Sequence, residues 1–160
     1  MTVGTTKFEK LIECVDTEEV LDALERAGYT SLTLQIGHGE YEPRRAGSWE
    51  GALKVEHFRL TPSLDEYMDE SDLVISHAGA GSLFEALNAG RRVIAVPNPT
   101  LMVNHQEELA SHLADRGFLL HAAVVPESVA RAIGEMERAS FKAYEPMDAR
   151  RIVAEIDALL

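Results

Sequence analysis

The stretch Asp72-Leu-Val-Ile-Ser-His-Ala-Gly-Ala-Gly-Ser-Leu-Phe-Glu-Ala-Leu87 changes its period midway. Residues 73–76 form a short apolar run with β-branched members, the pattern of a buried parallel strand. Leu83, Phe84, Ala86 and Leu87 then follow at helical spacing. Small residues fill the gap between the two, so strand passes to helix through a turn that leaves main-chain N–H groups open. Such a turn holds phosphate without a metal, because the donors and the helix dipole both favour an anion.

Outward from this unit the same alternation recurs. Candidate strands are 2–3, 32–36, 53–58, 73–76, 93–96 and 118–121; candidate helices are 7–15, 18–27, 63–69, 83–89, 105–116 and 127–138. A last helix is expected from Met147 to Leu159, within a C-terminal element spanning 143–160. Phe8, Leu11, Ile12 and Val15 keep the i, i+3, i+4, i+7 rhythm of one buried helix face. Thr6 with Glu9, Ser82 with Glu85 and Asn104 with Glu107 have capping-box spacing. Pro62 after Thr61 suits a first helical position, and Gly28, Gly90 and Gly117 suit helix ends. The fold class expected is α/β: one doubly wound, Rossmann-like domain over 1–160, with a parallel sheet covered on both faces and ligands beyond the carboxyl ends of its strands. Residues 37–52 carry Gly37, Gly39, Pro43, Gly47 and Gly51 with Arg44-Arg45 and Trp49. They read as a long exposed loop of the kind that carries function.

Composition bounds the function. A chain of 160 residues with 46% hydrophobic content can bury a real core. Its formal net charge of −12 argues against nucleic acid and anionic lipid as direct partners. One cysteine, Cys14, permits no internal disulfide, and its place beside an apolar stripe makes it an inert buried thiol. No apolar run approaches the roughly eighteen residues of a membrane span, and the start lacks the pattern of a secretory signal. The expectation is a cytosolic protein that reaches a membrane only through a partner.

Several chemistries are excluded by pattern. Gly79-x-Gly81 is followed by Phe84 where a dinucleotide fingerprint needs Gly or Ala, and no Gly-Lys-Ser/Thr forms a Walker loop. The six histidines form no HExxH and no Cys/His cluster, so no metal site is expected. Ser82 lacks the Gly-x-Ser-x-Gly elbow of a hydrolase. What remains is phosphate held by two turns, 79–82 and Gly4-Thr5-Thr6, the second lying between the first strand and first helix. His77 reads either as a turn histidine or as a donor to that phosphate. Glu85 reads either as half of a capping box or as a carboxylate for ribose hydroxyls. Asn98, Asn104, His105 and Gln106 follow the strand at 93–96, where amides and an imidazole can read sugar hydroxyls or an acetamido group; the alternative is plain helix capping.

Four blocks together resemble one family: Val3-Gly-Thr-Thr-Lys-Phe, Leu34-Gln-Ile-Gly, Ser71-Asp-Leu-Val-Ile-Ser-His-Ala-Gly-Ala-Gly-Ser, and Val96-Pro-Asn-Pro-Thr-Leu-Met-Val-Asn-His-Gln-Glu-Glu-Leu-Ala. They resemble the small catalytic subunit of the eukaryotic dolichol-pathway N-acetylglucosaminyltransferase. That subunit is similar to the C-terminal, donor-binding half of the bacterial GT-B transferase of glycosyltransferase family 28. The likeness runs from about Val3 to Leu120 and weakens beyond. It implies transfer of N-acetylglucosamine from UDP-N-acetylglucosamine to dolichyl-diphosphate N-acetylglucosamine with inversion and without a metal cofactor. It implies a membrane-anchored, acceptor-binding partner subunit that recruits the chain to the cytosolic face of the endoplasmic reticulum and holds the catalytic base. Position by position, it sets Gly79, Ala80, Gly81 and Ser82 against the diphosphate and Glu85 on the ribose. His105 and Gln106 face the transferred sugar, and Gly4, Thr5 and Thr6 form the first turn of the donor cleft. The chain departs from the family in its short first strand, which leaves the stability of a sheet edge in question, and in the composition of 44–52. Two rival readings stand beside this one: a nucleotide-sugar-binding or regulatory module without catalysis of its own, docking through Ile152, Val153, Ile156, Leu159 and Leu160, and a self-sufficient transferase acting as a dimer.

Overall fold

The computed structural model describes residues 1–100 and 105–145. Asn104, and the C-terminal helix expected over 147–159 with its apolar stripe, lie outside the described residues. The elements run α1 (Glu9–Val15), α2 (Glu18–Arg26), β1 (Ser31–Gln35), β2 (Lys54–Phe58), α3 (Asp65–Glu70), β3 (Leu73–Ser76), α4 (Ala80–Asn88), β4 (Arg92–Ala95), α5 (His105–Asp115), β5 (Leu120–His121) and α6 (Pro126–Met136).

All strand pairs are parallel: β1 with β2, β3 with β4, and β4 with β5. Thr2 joins the two groups through parallel bridges to Gln35 and to Ser76. Its N–H donates to the Ile75 carbonyl at 2.9 Å, and the Gln35 N–H donates to the Met1 carbonyl at 2.8 Å. The spatial order is therefore β2, β1, the Thr2 segment, β3, β4, β5. Counting Thr2 as the first strand, this is the doubly wound order 3-2-1-4-5-6, whose switch point lies between the first and fourth strands. Here that point falls between Thr2 and β3. The short first strand is thus central and not at an edge, and its brevity leaves no edge exposed.

One face of the sheet packs Leu32, Leu34, Val55, Ile75, Ile94 and Val96 against α1, α2 and α6, through residues such as Leu11, Ile12, Leu21, Val129 and Ile133. The other packs Val74, Val93 and Ala95 against Met68 of α3, Leu83 and Leu87 of α4, and Leu113 of α5. Each fully buried aliphatic side chain contributes about 1.5–3 kcal/mol. Cys14 is buried as expected, and burial pushes its thiol up to about 12.

The helix ends depart from the sequence expectation in instructive ways. α4 begins at Ala80, ahead of the expected Leu83, so Ser82 sits inside the helix and makes no capping box with Glu85; the cap position is Gly79. Phe8 precedes α1 without a side-chain cap. Thr6 instead donates to the Val3 carbonyl at 2.8 Å, and Glu9 is engaged elsewhere. Pro62 lies in the loop before α3, whose first N–H, that of Asp65, donates to Ser63 Oγ. Gly28, Gly90 and Gly117 do take positive φ after their helices.

Loop 37–52 is not a free excursion. The Asp16 carboxylate, buried, accepts hydrogen bonds from the Tyr41 hydroxyl and from the N–H groups of Arg44 and Arg45. Glu9 accepts from the N–H groups of Glu40 and Tyr41, and Glu25 from Trp49 Nε1 and the Leu53 N–H. Three helix carboxylates therefore staple the loop to α1 and α2. These bonds hold the Glu9 and Glu25 carboxyls below the ordinary range, led by the Glu40 N–H and the Leu53 N–H respectively. A depressed folded pKa gives stabilisation that is present above the unfolded value and is lost as pH falls through the folded one. The loop should stay docked at neutral pH and release below about pH 4.3. Trp49, the only tryptophan, reports the release by fluorescence, and in Glu25→Gln that acid step should shrink.

Candidate functional site

At the switch point two turns meet. The Thr2–Val3 segment ends in Gly4, in the left-handed region at φ 60°, and β3 ends in His77-Ala78-Gly79. A Cβ on Gly4 would lie 2.8 Å from His77 Cε1 and 3.5 Å from Ser82 Oγ, so only a glycine lets the turns close on one another. Ala78 also takes φ 60° although it carries a side chain, and it is fully buried. A non-glycine residue held there stores about 1 kcal/mol or more of strain, and such residues cluster at functional sites. The bend aims α4 so that the N–H groups of Ala80, Gly81 and Ser82, which have no carbonyl within the helix to meet, open toward solvent.

A groove of about 490 Å³ lies over this helix start. One side is formed by Thr5, His77, Gly79, Ala80, Gly81, Ser82 and Glu85; the other is formed by the segment from Thr61 to Asp65. The volume suits a small ligand. Its side chains bring no Lys or Arg, while Asp65 and Glu85 stand at its margin. An anion here must be held by amides and the helix dipole.

His77 is buried between the turns. Burial holds its imidazole below the ordinary range; the Thr2 carbonyl nearby acts weakly the other way. The ring is therefore neutral at neutral pH. Among the described residues its Nδ1 has no hydrogen-bond partner, and neither has the hydroxyl of buried Ser76. A Cβ on Gly79 would come within 2.2 Å of His77 Nε2, so this nitrogen lies against the turn itself.

The structure brings the sequence candidates together unevenly. Gly4, His77, Gly79 and Ser82 are in mutual contact range, and Thr5, Ala80, Gly81 and Glu85 share their groove. The Thr6 hydroxyl turns back onto Val3. Asn98 and Gln106 are joined to each other on the β4 side, where the Asn98 N–H donates to Gln106 Oε1 at 3.0 Å. His105 is exposed, with Glu108 nearby.

Two features escaped the sequence reading. The first is the Thr61–Asp65 wall, which follows β2 and has no motif of its own. The second is Gln35, buried at the end of β1 with all its amide capacity used. Its Oε1 accepts from Thr2 Oγ1 (2.6 Å) and the Val3 N–H (3.1 Å); its Nε2 donates to the Gly4 and Arg59 carbonyls (2.8 Å each). One side chain thus ties the first glycine turn to the exit of β2. The available signal was a polar amide inside the apolar run of 32–36.

Comparison with known proteins follows the same line. The model of the glycosyltransferase family 28 C-terminal domain matches residues 1–159. The human UDP-N-acetylglucosamine transferase subunit ALG13 is 45% identical over 121 residues, 76% of this chain but only 10% of the human protein. Its counterpart in Yarrowia lipolytica is 38% identical over 119 residues, covering 74% of this chain and 61% of that one. The chain thus spans a tenth to three-fifths of these relatives. Among solved structures, an NMR structure of ALG13 superposes with a TM-score of 0.71 at 24% identity, covering 94% of this chain and 90% of that one. Acinetobacter baumannii MurG superposes at 0.65 with 18% identity, over 98% of this chain and 48% of MurG. Both likenesses concern the fold, that of GT-B glycosyltransferases. The chain belongs to the glycosyltransferase family 28 C-terminal domain family.

Proposed function

We propose that this chain is the donor-binding subunit of an inverting, metal-independent N-acetylglucosaminyltransferase. It takes UDP-N-acetylglucosamine and acts with a membrane-anchored partner that presents dolichyl-diphosphate N-acetylglucosamine at the cytosolic face of the endoplasmic reticulum. The observation that carries the reading is the pair of turns at the switch point, which aims open amides into a groove lined by no Lys or Arg. The names of the relatives supply the donor, and the word subunit in those names supplies the partner.

In this reading the diphosphate lies against Gly79, Ala80, Gly81 and Ser82, with the Gly4-Thr5-Thr6 turn opposite. Glu85 accepts from the ribose hydroxyls, and the 61–65 segment borders the base. As the glycosidic bond breaks, negative charge grows on the departing UDP. Amides already fixed at a helix start stabilise that charge as it develops, without reorganising. A neutral His77 adds an Nε2–H donor only if Nδ1 carries no proton, which its unpartnered state allows. The acceptor hydroxyl attacks from the opposite face, and its base is assigned to the partner. No helix of the described residues is long and apolar enough to cross a membrane, in keeping with recruitment through that partner.

Titration of the purified chain with UDP tests the reading. Saturable heat is expected; its absence at millimolar UDP rejects the donor site. Glu85→Ala should weaken UDP by about 1–3 kcal/mol through loss of charge-assisted bonds to the ribose. Unchanged affinity would remove Glu85 from that role. Transfer activity should appear when the partner subunit is added and be absent without it, which separates this reading from a self-sufficient enzyme.

A further inference from the structure

The Thr2 segment lies between two longer strands, and its brevity tells inside the sheet rather than at its rim. In a parallel ladder the N–H and C=O of one residue point to the same side, and successive residues point to opposite sides. On β3, Ser76 faces β4, since its carbonyl accepts from the Val96 N–H at 2.8 Å; Ile75 faces the Thr2 segment, since its carbonyl accepts from the Thr2 N–H at 2.9 Å. On β1, Thr33 and Gln35 face that segment from the other side. The Thr33 carbonyl accepts from the Met1 nitrogen at 2.7 Å, and the Gln35 N–H donates to the Met1 carbonyl at 2.8 Å. Beyond the Met1 nitrogen, β1 and β3 run on with no strand between them. The N–H groups of Thr33 and Ile75 and the carbonyls of Ser31 and Leu73 face each other across a slot one strand wide. A cavity of about 240 Å³ lies there, with Tyr67 and Met68 of α3 behind it.

The Met1 nitrogen stands at the head of this slot. Its one hydrogen bond is to Thr33, and among the described residues no carboxylate pairs with it, although Glu70 and Asp72, with Tyr29 and Tyr67, line the cavity. Burial pushes its ammonium down to about 5. A buried charge without a partner is costly. The ladder indicates what fits instead. The His77 N–H donates to the Thr2 carbonyl at 3.2 Å. The Ile75 N–H, two residues earlier, is therefore aimed at a carbonyl two residues ahead of Thr2, one bonded directly to the Met1 nitrogen.

We propose that the Met1 nitrogen is an acylation site, completed by an acyl group in amide linkage whose carbonyl accepts from the Ile75 N–H. The resulting amide N–H still donates to Thr33, and the buried charge is gone. The same chemistry has two sources: an acetyl group, or a preceding residue that extends along the slot. Acetylation takes an acyl thioester as co-reactant. The amine nitrogen attacks the thioester carbonyl, the N–C bond forms, the C–S bond breaks, and the thiol leaves with the proton that the amine gives up. Either source must act before the sheet closes around the nitrogen.

Three forms of the full chain test this: one with a free Met1 amine, one with the amine acetylated, and one with Val-Val-Val placed ahead of Met1. As pH falls below 8, the unfolded free-amine chain takes up a proton before the folded one does, so its stability drops down to about pH 5. Both acylated forms should lack that drop and melt higher, by a margin that widens from pH 8 to pH 5. Other titrating groups, His77 among them, are common to all three forms and cancel. Amide exchange at Ile75 should slow at least about tenfold in both acylated forms relative to Val74, which is paired with β4 in every form. At Thr33 it should slow only in the valine form, whose second carbonyl reaches it. Intact mass of the chain from the cell that makes it then separates the sources: an added acetyl group or added residues support the inference, and a free Met1 amine overturns it. Equal melting across this pH range, or unchanged exchange at Ile75, overturns it as well.

Discussion

Gln35→Leu should lower stability by about 4 kcal/mol. Leucine matches glutamine in size, so the change opens little space. What it removes is four hydrogen bonds at once, from Thr2, Val3, Gly4 and Arg59. Thr2 is buried, and an unsatisfied buried group costs about 1–3 kcal/mol. Partial rescue by water at the Gly4 and Arg59 carbonyls keeps the total below the simple sum. Urea unfolding should show a lower midpoint with an unchanged slope, and the melting temperature should fall by about 10 °C. Gln35→Glu should fare no better, because its second oxygen would face two carbonyls. A loss under about 1 kcal/mol in Gln35→Leu would show that the amide is incidental to the fold.

Gly79→Ala should abolish nucleotide binding, by about a hundredfold or more, while leaving the protein folded. The new Cβ would sit 2.2 Å from His77 Nε2, and the ring is buried among both turns, so it has no free direction in which to yield. Either His77 or the start of α4 must shift, and both shape the groove. The backbone of Gly79 itself lies at φ −69°, which alanine adopts without strain, so the effect is one of contact alone. Gly81→Ala is the matched control. A Cβ there meets nothing within 4 Å, and alanine in a helix is favoured over glycine by about 1 kcal/mol. Stability should rise slightly, with a far smaller change in UDP affinity than at Gly79. Equal affinities in Gly79→Ala and the parent chain would place the ligand away from this turn.

The sequence and the structure agree where one periodicity settles the matter. Residues 73–76 form β3 over the same span as expected, and 18–27 differs from α2 by a single residue, because each segment reads as only one kind of element. Agreement fails where an element boundary depends on partners distant in sequence. Ser82 and Glu85 have the spacing of a capping box, yet Ala78 turns the chain early enough that the helix starts before them. Glu9 and Glu25 look like ordinary surface carboxylates on helices until loop 37–52 folds over and donates its N–H groups. The small residues of 77–82 were legible as a turn because strand and helix signals flank them directly. The 61–65 wall was not, since it joins the groove only through the packing of α3 against the same sheet face as α4. Gln35 was visible as a polar residue in an apolar strand, but its meaning lies in Thr2, Gly4 and Arg59, which the chain brings to it from both directions.

The left-handed alanine at 78 has a further consequence. Glycine would occupy that conformation with less strain, but it would also give the unfolded chain more freedom to lose, and the two effects are of similar size, each about 1 kcal/mol. Ala78→Gly should therefore barely move the global equilibrium. It should instead loosen the bend, trading a preset aim of the α4 amides for one that each incoming anion must order afresh. Stiffness at this corner is thus nearly independent of how stable the protein is, and the two can drift separately under mutation.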